Sequence, residues 1–513
     1  MKFAQLKTAI IDNSKLIVID LEITILNGLP TFEISGLNNY KGQQCFSRVR
    51  ASLKNIGFKI PQGRIVCHLT KDIHNGEIRS LDLALAIAIL LADGQIFNNT
   101  SKMWFIIGQL SLSGKVLSVN GVFAMSRDQS IANYQWIIPL ENQLELKCED
   151  FTGKYVVSNL NQAVEIIENI NPEKYIAKNV NSNSNKSKAE PIFEIVGQPL
   201  AKRALLIALA GRHPLLLIGS PGSGKTTLAN QAAYFMPQLN PDKLDQVRRI
   251  YSMHGIWNDQ IDRGIIRPYQ APHHTITQMA LIGGGNNLVP GLITYAHNGI
   301  LFLDELSEFK PNILELLRQP LSEKFIKLSR KNVSVQYPAD FLLIAATNPC
   351  PCGYRLENDQ RCKCGAADIR RFKKRLSGAI LDRFQLSVIM NDLTQTDLIK
   401  TAKNKLITQS EIYNIQKVII KAQKMQSARC NTHQIPFNYN GQIKIQMLAD
   451  FFEINSQAMK QFNKITLNYL LSPRSYLALL RVARTIADLD QQKEVSEVHL
   501  HEALLLRVNP QIY

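Results

Sequence analysis

The chain has 513 residues, too many for one hydrophobic core, and at roughly 150 residues per domain it implies three or four units. A formal net charge of +17 favours a polyanionic partner, and nucleic acid is the commoner one for a basic soluble protein. Four of the eight cysteines crowd between Cys350 and Cys364, which argues against a disulfide framework and for a metal cluster in a reducing compartment. The most apolar run, Leu81 to Leu91, falls short of the roughly 18 residues a membrane span needs. Lys2, Lys7, Asp12 and Lys15 break up the N-terminal apolar residues, so no secretory signal is expected and the predicted location is cytoplasmic.

Residues 1–170 read as an α+β unit. Leu21, Ile23 and Ile25 alternate with polar residues, Asn27-Gly28 supplies a turn and Phe32 and Ile34 resume the alternation, which predicts a hairpin. Phe46, Val49, Leu53 and Ile56 recur at helical spacing, Ile65 to Leu69 reads as a strand, Leu81 to Leu91 as a buried helix, and Trp104 to Val119 as two strands around Ser113-Gly114. This order, with the run Ile107 to Val116 and Val119-Asn120-Gly121-Val122, resembles the proteolytic domain of Lon-type proteases. Phe123 stands where such a protease would carry its lysine, and no nucleophile loop precedes the helix at Leu81. Ser80 and Lys115 are therefore read as structural, and the unit as a catalytically inactive Lon-like domain. Residues 171–190, rich in Asn, Ser and Lys, are predicted to be a flexible linker.

The next unit, 191–395, is built on Leu215 to Ile218 followed by Gly219-Ser220-Pro221-Gly222-Ser223-Gly224-Lys225-Thr226-Thr227, the strand, glycine loop and helix of a phosphate-binding P-loop. Glycine lets successive backbone N–H groups face a phosphate, and the helix N-terminus adds partial positive charge. Lys225 is expected to reach the β and γ phosphates of ATP and Thr226 to hold Mg2+. The wholly apolar Ile300 to Leu303 delivers Asp304, expected to orient Mg2+, and Glu305, expected to polarise the attacking water. Phe341 to Ala345 leads to Asn348, placed to hold the same water, and Arg383 could serve a neighbouring subunit. Cys350, Cys352, Cys362 and Cys364 offer four thiolates to a tetrahedral ion, and a structural Zn2+ is expected. In 396–513, a helical lid, Ser472 is a predicted N-cap and Pro473 the first residue of a helix to Leu489, which would bring Arg474 to the γ-phosphate.

This ordered set is similar to that of AAA+ ATPases, which implies an α/β multidomain fold: Lon-like domain, P-loop AAA+ core and helical lid. Arg267 to His274, Gly283 to Gly285, Tyr295 to Gly299, Leu317 to Leu321 and Asn348 to Gly353 resemble the magnesium-chelatase-like branch, and with the first domain they point to the ComM/YifB family. The resemblance implies a hexameric DNA translocase driving branch migration of recombination intermediates in natural transformation. The competing expectation is the ATPase motor of a magnesium-chelatase-type metal-insertion complex. The chain departs from the family at Gln270, Leu292 and Lys324-Phe325, within insertions at 265–297 and 323–335. Lys324, Lys327, Arg330 and Lys331, along a predicted hairpin, are the candidate DNA contacts.

Overall fold

The computed structural model describes residues 3–73, 76–100, 102–146, 151–178, 195–330, 333–355, 361–376, 378–391, 406–434, 439–443, 451–467 and 472–507. The first unit is a seven-stranded sheet of β1 (Phe3–Asp12), β2 (Lys15–Leu26), β3 (Phe32–Leu37), β4 (Arg64–Ile73), β5 (Trp104–Ile106), β8 (Gln135–Pro139) and β9 (Lys154–Val157), in the order β3-β4-β2-β1-β5-β8-β9. Two short strands, β6 (Gln109–Leu110) and β7 (Val116–Leu117), pair outside it around Gly114, whose φ is +83°. The Leu81 helix spans Asp82–Asp93, is apolar on nearly all sides and buried throughout its first three turns, and Gly94 in the left-handed region ends it.

The predicted hairpin between Leu21 and Ile34 is not formed. β2 pairs antiparallel with β1 across Asn13-Ser14, both at positive φ (48° and 56°), and β4 enters between β2 and β3. A two-residue turn with both φ positive matches strand twist, so β1 takes one edge of β2. The buried Ile65, Cys67 and Leu69 of β4 take the other. Pro172–Tyr175 forms a short 3-10 helix within the predicted linker, and Tyr155 bridges to Ile176, so the packed chain runs past residue 170.

The second unit is a five-stranded, wholly parallel sheet of β10 (Leu215–Gly219), β11 (Tyr269–Gln270), β14 (Ile300–Leu303), β17 (Leu342–Thr347) and β18 (Leu386–Met390), in the order β11-β14-β17-β10-β18. β10, β14 and β17 are buried at every residue, as expected for strands covered on both faces by helices. Ile218 lies beside Thr347 and Leu303 beside Ala345, so this register brings the carboxyl ends of the three strands together. Between β11 and β14 the insertion holds β12 (Gly283–Gly284) and β13 (Val289–Pro290); β15 (Phe325–Arg330) and β16 (Val333–Pro338) form the predicted hairpin.

The two insertions pack as one body. Leu288 joins Val335, Tyr337 and Leu328 in a small apolar cluster, the Tyr337 hydroxyl donates to the Leu288 carbonyl at 2.6 Å, and Arg330 bonds Asn286. Helices Gln409–Thr432, Ser456–Leu467, Pro473–Leu489 and Glu497–Leu505 share a core with the second sheet. Ser472 caps the third by accepting from the Ser475 N–H at 3.2 Å, with Pro473 in the first turn, as the sequence predicts. Buried His213, ahead of β10, joins the units: its Nδ1 lies 2.6 Å from Gln385 Oε1 and its Nε2 2.7 Å from Thr485 Oγ1.

The first unit docks on the insertion side of the second. The Gly121 N–H donates to the Ser252 carbonyl at 2.9 Å and the Phe123 N–H to Ser252 Oγ at 3.1 Å, while Ser252 Oγ donates to the Glu145 carboxylate. Arg127 pairs with Asp245 at 3.0 Å, and the Tyr337 hydroxyl reaches Ser14 Oγ at 2.5 Å.

Candidate functional site

β10 runs straight into the glycine loop, where Gly222 (φ +82°) and Gly224 (φ +91°) take conformations that cost side-chain-bearing residues about 1 kcal/mol or more. Gly219 is needed for space as well: a β-carbon there would come 2.7 Å from Ser223 Oγ and 2.8 Å from the Met390 carbonyl. The helix Lys225–Phe235 starts directly after the loop, so its unpaired N–H groups face the same concavity, and Thr226 and Thr227 lie exposed on its first turn.

Lys225 is buried, and its Nζ donates to the Gly219 and Ser220 carbonyls at 2.8 Å each and to Asn348 Oδ1 at 3.3 Å. Thr226 Oγ1 donates to Asp304 Oδ2 at 2.6 Å. Asp304 Oδ1 in turn accepts the Glu305 N–H at 2.9 Å, and Glu305 holds a left-handed φ of +50°. Such strain is concentrated at functional sites. The register of β10, β14 and β17 thus gathers Gly219, Lys225, Thr226, Asp304 and Asn348 at one sheet edge.

Three partners were not read from the sequence as part of this site. His274 Nδ1 lies 3.3 Å from Glu305 Oε2, and its ring lies against that of His273, tilted by 33° with centroids 4.1 Å apart. The His-His pair was visible, but its fold-back from the insertion to the sheet edge was not. Gln198 Nε2 donates to the Ser223 carbonyl at 3.4 Å and to the Asn391 carbonyl at 2.7 Å, tying the loop to the end of β18. The Tyr269 hydroxyl donates to Asn230 Oδ1 at 2.5 Å; burial, and then the charge of Asp304, raises this phenol above its usual range.

The arginines have these surroundings. Arg383 donates to Ser322 Oγ at 2.8 Å, its buried Nε has no hydrogen-bond partner, and burial followed by the charges of Arg474 and Arg318 lowers its pKa. Arg474 and Arg318 are thus each close enough for their charge to act on Arg383, and Arg474 lies exposed on the first turn of its helix. Arg375 pairs with Glu308 at 3.1 Å.

The four cysteines converge as predicted: their sulfurs all lie within 4.8 Å of one another. Cys350 Sγ is 3.3 Å from Cys352 Sγ and 3.9 Å from Cys362 Sγ, and the Cys352 N–H points at Cys364 Sγ. Burial pushes the Cys350 thiol up to about 12. At Cys352 burial is the largest single effect and raises the thiol, but the Tyr354 N–H, the Cys350 and Cys364 sulfurs and the Lys363 N–H together outweigh it and draw it down to about 6. Four sulfurs at these separations suit a closed tetrahedral ion such as Zn2+.

Of the candidate DNA contacts, Lys327 and Arg330 are exposed on the hairpin, and Lys331 lies outside the described residues. Lys324 is not on the hairpin surface. It caps the preceding helix at φ +65°, and its Nζ pairs with Asp340 at 3.2 Å. Asp340 also lies 3.6 Å from Arg212 and accepts from Gln442 Nε2 at 3.3 Å. Burial would raise the Asp340 carboxyl, but Arg212 and Lys324 outweigh it and hold it down at about 2. Lys324, half-buried, is thus engaged in this pair at the base of the hairpin, unlike the exposed Lys327 and Arg330.

Comparison with known proteins follows the same layout. Residues 192–398 match the family described as magnesium chelatase, subunit ChlI; residues 21–142 match subunit ChlI of Mg-chelatase, and 409–507 the ChlI C-terminal family. The chain is 32% identical to competence protein ComM of Haemophilus influenzae over 491 residues, covering 95% of this chain and 94% of that protein. It is 31% identical to YifB of Salmonella typhimurium over the same shares of each chain. Its identity to the magnesium-chelatase subunit ChlI of Porphyra purpurea is 25%, over 33% of this chain and 55% of that one. A parallel P-loop sheet, chelatase-type insertions and likeness along nearly the whole length place this chain in the magnesium-chelatase-like ComM/YifB family.

Proposed function

We propose that this protein is an ATP-driven DNA translocase, acting as a hexameric ring to promote branch migration of recombination intermediates during natural transformation. The observation that carries the ATPase part is the convergence of Lys225, Thr226, Asp304 and Asn348 at the carboxyl edge of one parallel sheet. In this reading the glycine loop and Lys225 bind the triphosphate, and Thr226 and Asp304, already 2.6 Å apart, hold Mg2+. Bound there, the ion neutralises charge developing on the transferred phosphoryl group. Glu305 orients the attacking water, with His274 fixing its carboxylate and Asn348 on the opposite side. Arg383, on which the charge of Arg474 acts, reaches the nucleotide of a neighbouring subunit, and Arg474 assists it.

Likeness to a competence protein over 95% of the chain, the net charge of +17 and the exposed Lys327 and Arg330 support DNA as the polymer moved. The first unit serves as an inactive Lon-like scaffold. Ser80 is buried with its hydroxyl on the Ala9 carbonyl, and Lys115 lies 3.9 Å from Glu141. The four-thiol site takes Zn2+ in a structural role. Among the described residues no helix is long and apolar enough to cross a membrane.

The test is ATP hydrolysis and strand exchange by the purified full-length chain on forked DNA. Hydrolysis stimulated by DNA, with salt-sensitive binding and ATP-dependent branch migration, is the expected result. The chelatase match favours a second reading, a motor for metal insertion. Robust ATPase indifferent to DNA, with no binding at low salt, would select it.

A further inference from the structure

We propose that the four-cysteine loop is a metal-dependent brace for the P-loop, so that nucleotide affinity depends on the ion held by Cys350, Cys352, Cys362 and Cys364. The inference rests on reading the P-loop as a nucleotide site and adds to it a control element outside the nucleotide's own contacts. Its foundation is an approach between two loops far apart in sequence. Gly353 has a φ of +87°, and a β-carbon built on it would lie 2.6 Å from Cδ and 2.9 Å from Cγ of Pro221, in the middle of the glycine loop. Its next neighbour is Cγ of Asn348 at 3.8 Å, and Asn348 is the residue that meets Lys225 Nζ. The Gly353 backbone therefore forms a wall against which Pro221 rests.

What holds that wall in place is the sulfur cluster. Cys350 follows Asn348 by two residues and is fully buried, and the Gly353 N–H closes a turn onto the Cys350 carbonyl at 3.0 Å. Cys362 and Cys364 return the chain to the same point, and Arg361 lies over the Tyr354 ring at 4.7 Å within the loop. Thiol–thiol contacts are weak, whereas an ion bound by all four thiolates closes the loop into one rigid unit. Because such a site is not preformed in an open chain, the free energy of metal binding is also the free energy of ordering the loop. With the ion removed, Gly353 is free to leave Pro221, and the glycine loop loses the support that keeps its N–H groups aimed at a phosphate.

The experiment uses the full-length chain, with zinc measured by mass spectrometry and a fluorescent ADP analogue as the nucleotide probe. The zinc-loaded protein is compared with protein stripped by a chelator under reducing conditions, the same sample given Zn2+ back, Gly353→Ala, and Lys225→Ala as the binding-deficient reference. Stripping is expected to weaken ADP binding roughly tenfold or more, with recovery on adding Zn2+. Gly353→Ala, which crowds Pro221 without touching a thiol, is expected to weaken ADP comparably while retaining about one zinc per chain. Should stripping unfold the protein by circular dichroism, this variant decides alone. Unchanged ADP affinity in Gly353→Ala, or in folded stripped protein, overturns the brace while leaving the nucleotide site standing, and so does a chain that binds no zinc. Failure of the zinc-loaded wild type to bind ADP would instead overturn the nucleotide reading itself.

Discussion

Lys225 has three oxygen partners and little exposure, so its ammonium is already positioned in the concavity where phosphates would sit. Replacing it with alanine removes the cation of the loop, and Lys225→Ala is expected to abolish nucleotide binding in the fluorescence assay. Glu305 is different in kind, since it contacts no part of the loop that binds phosphate. Glu305→Gln keeps the shape and loses the base, so ADP affinity should be preserved while phosphate release falls by about 10²–10⁴-fold. His274, 3.3 Å from that carboxylate, acts through it. His274→Ala should lower turnover with ADP affinity unchanged, and an equal loss of both would show that the residue only supports the insertion.

At the scale of elements, the decisive piece is the segment joining β16 to β17. It carries Asp340, whose carboxylate meets Lys324 at the base of the hairpin, Arg212 ahead of β10 and Gln442 of the helical unit. The same residue's backbone accepts from the Asn298 N–H at 2.7 Å, just before β14. Asp340 is held at about 2, below its unfolded value, so its contribution is fully present above about pH 4 and is lost as pH falls towards 2. Its size is on the order of 2 kcal/mol. Asp340→Asn should therefore be less stable than wild type at pH 7 by denaturant titration, and the gap should close on acidification through that window. A constant gap would mean that the charge is not what matters. The Lys324 departure from the family pattern belongs to this element. There Lys324 pairs with Asp340 at 3.2 Å.

For the whole molecule, the arrangement of Arg383 and Arg474 bears on assembly. The charges of Arg474 and Arg318 act repulsively on the Arg383 guanidinium, whose buried Nε has no hydrogen-bond partner. Such a group is stabilised by an anion, and a neighbour's triphosphate would supply it. In mixtures of wild type with Arg383→Ala, ATPase activity should fall faster than the wild-type fraction; a proportional decline would remove the trans role. The first unit reaches the machinery from the other side. Its Ser14 turn meets Tyr337 of the hairpin, and its Glu145 and Gly121 meet Ser252. These bonds join it to the hairpin and to the helix Pro241–Met253.

Amino-acid order alone determined the local devices whose causes are local. The P-loop, the apolar strand ending in Asp304-Glu305, the Ser472 cap and the paired Cys-x-Cys motifs each depend on neighbours a few residues away, so they were legible before any fold. Strand pairing was not. Asn27-Gly28 is a good turn signal, yet β4, nearly forty residues on, takes the partner that the turn would have given β2. Only the tertiary structure decided that Lys324 pairs with Asp340, that His274 reaches Glu305, that the charge of Arg474 acts on Arg383, and that Gly353 packs close to Pro221. Each is a contact between segments remote in sequence, fixed by how strands stack in the sheet and how loops cross its edge, and periodicity carries no record of that.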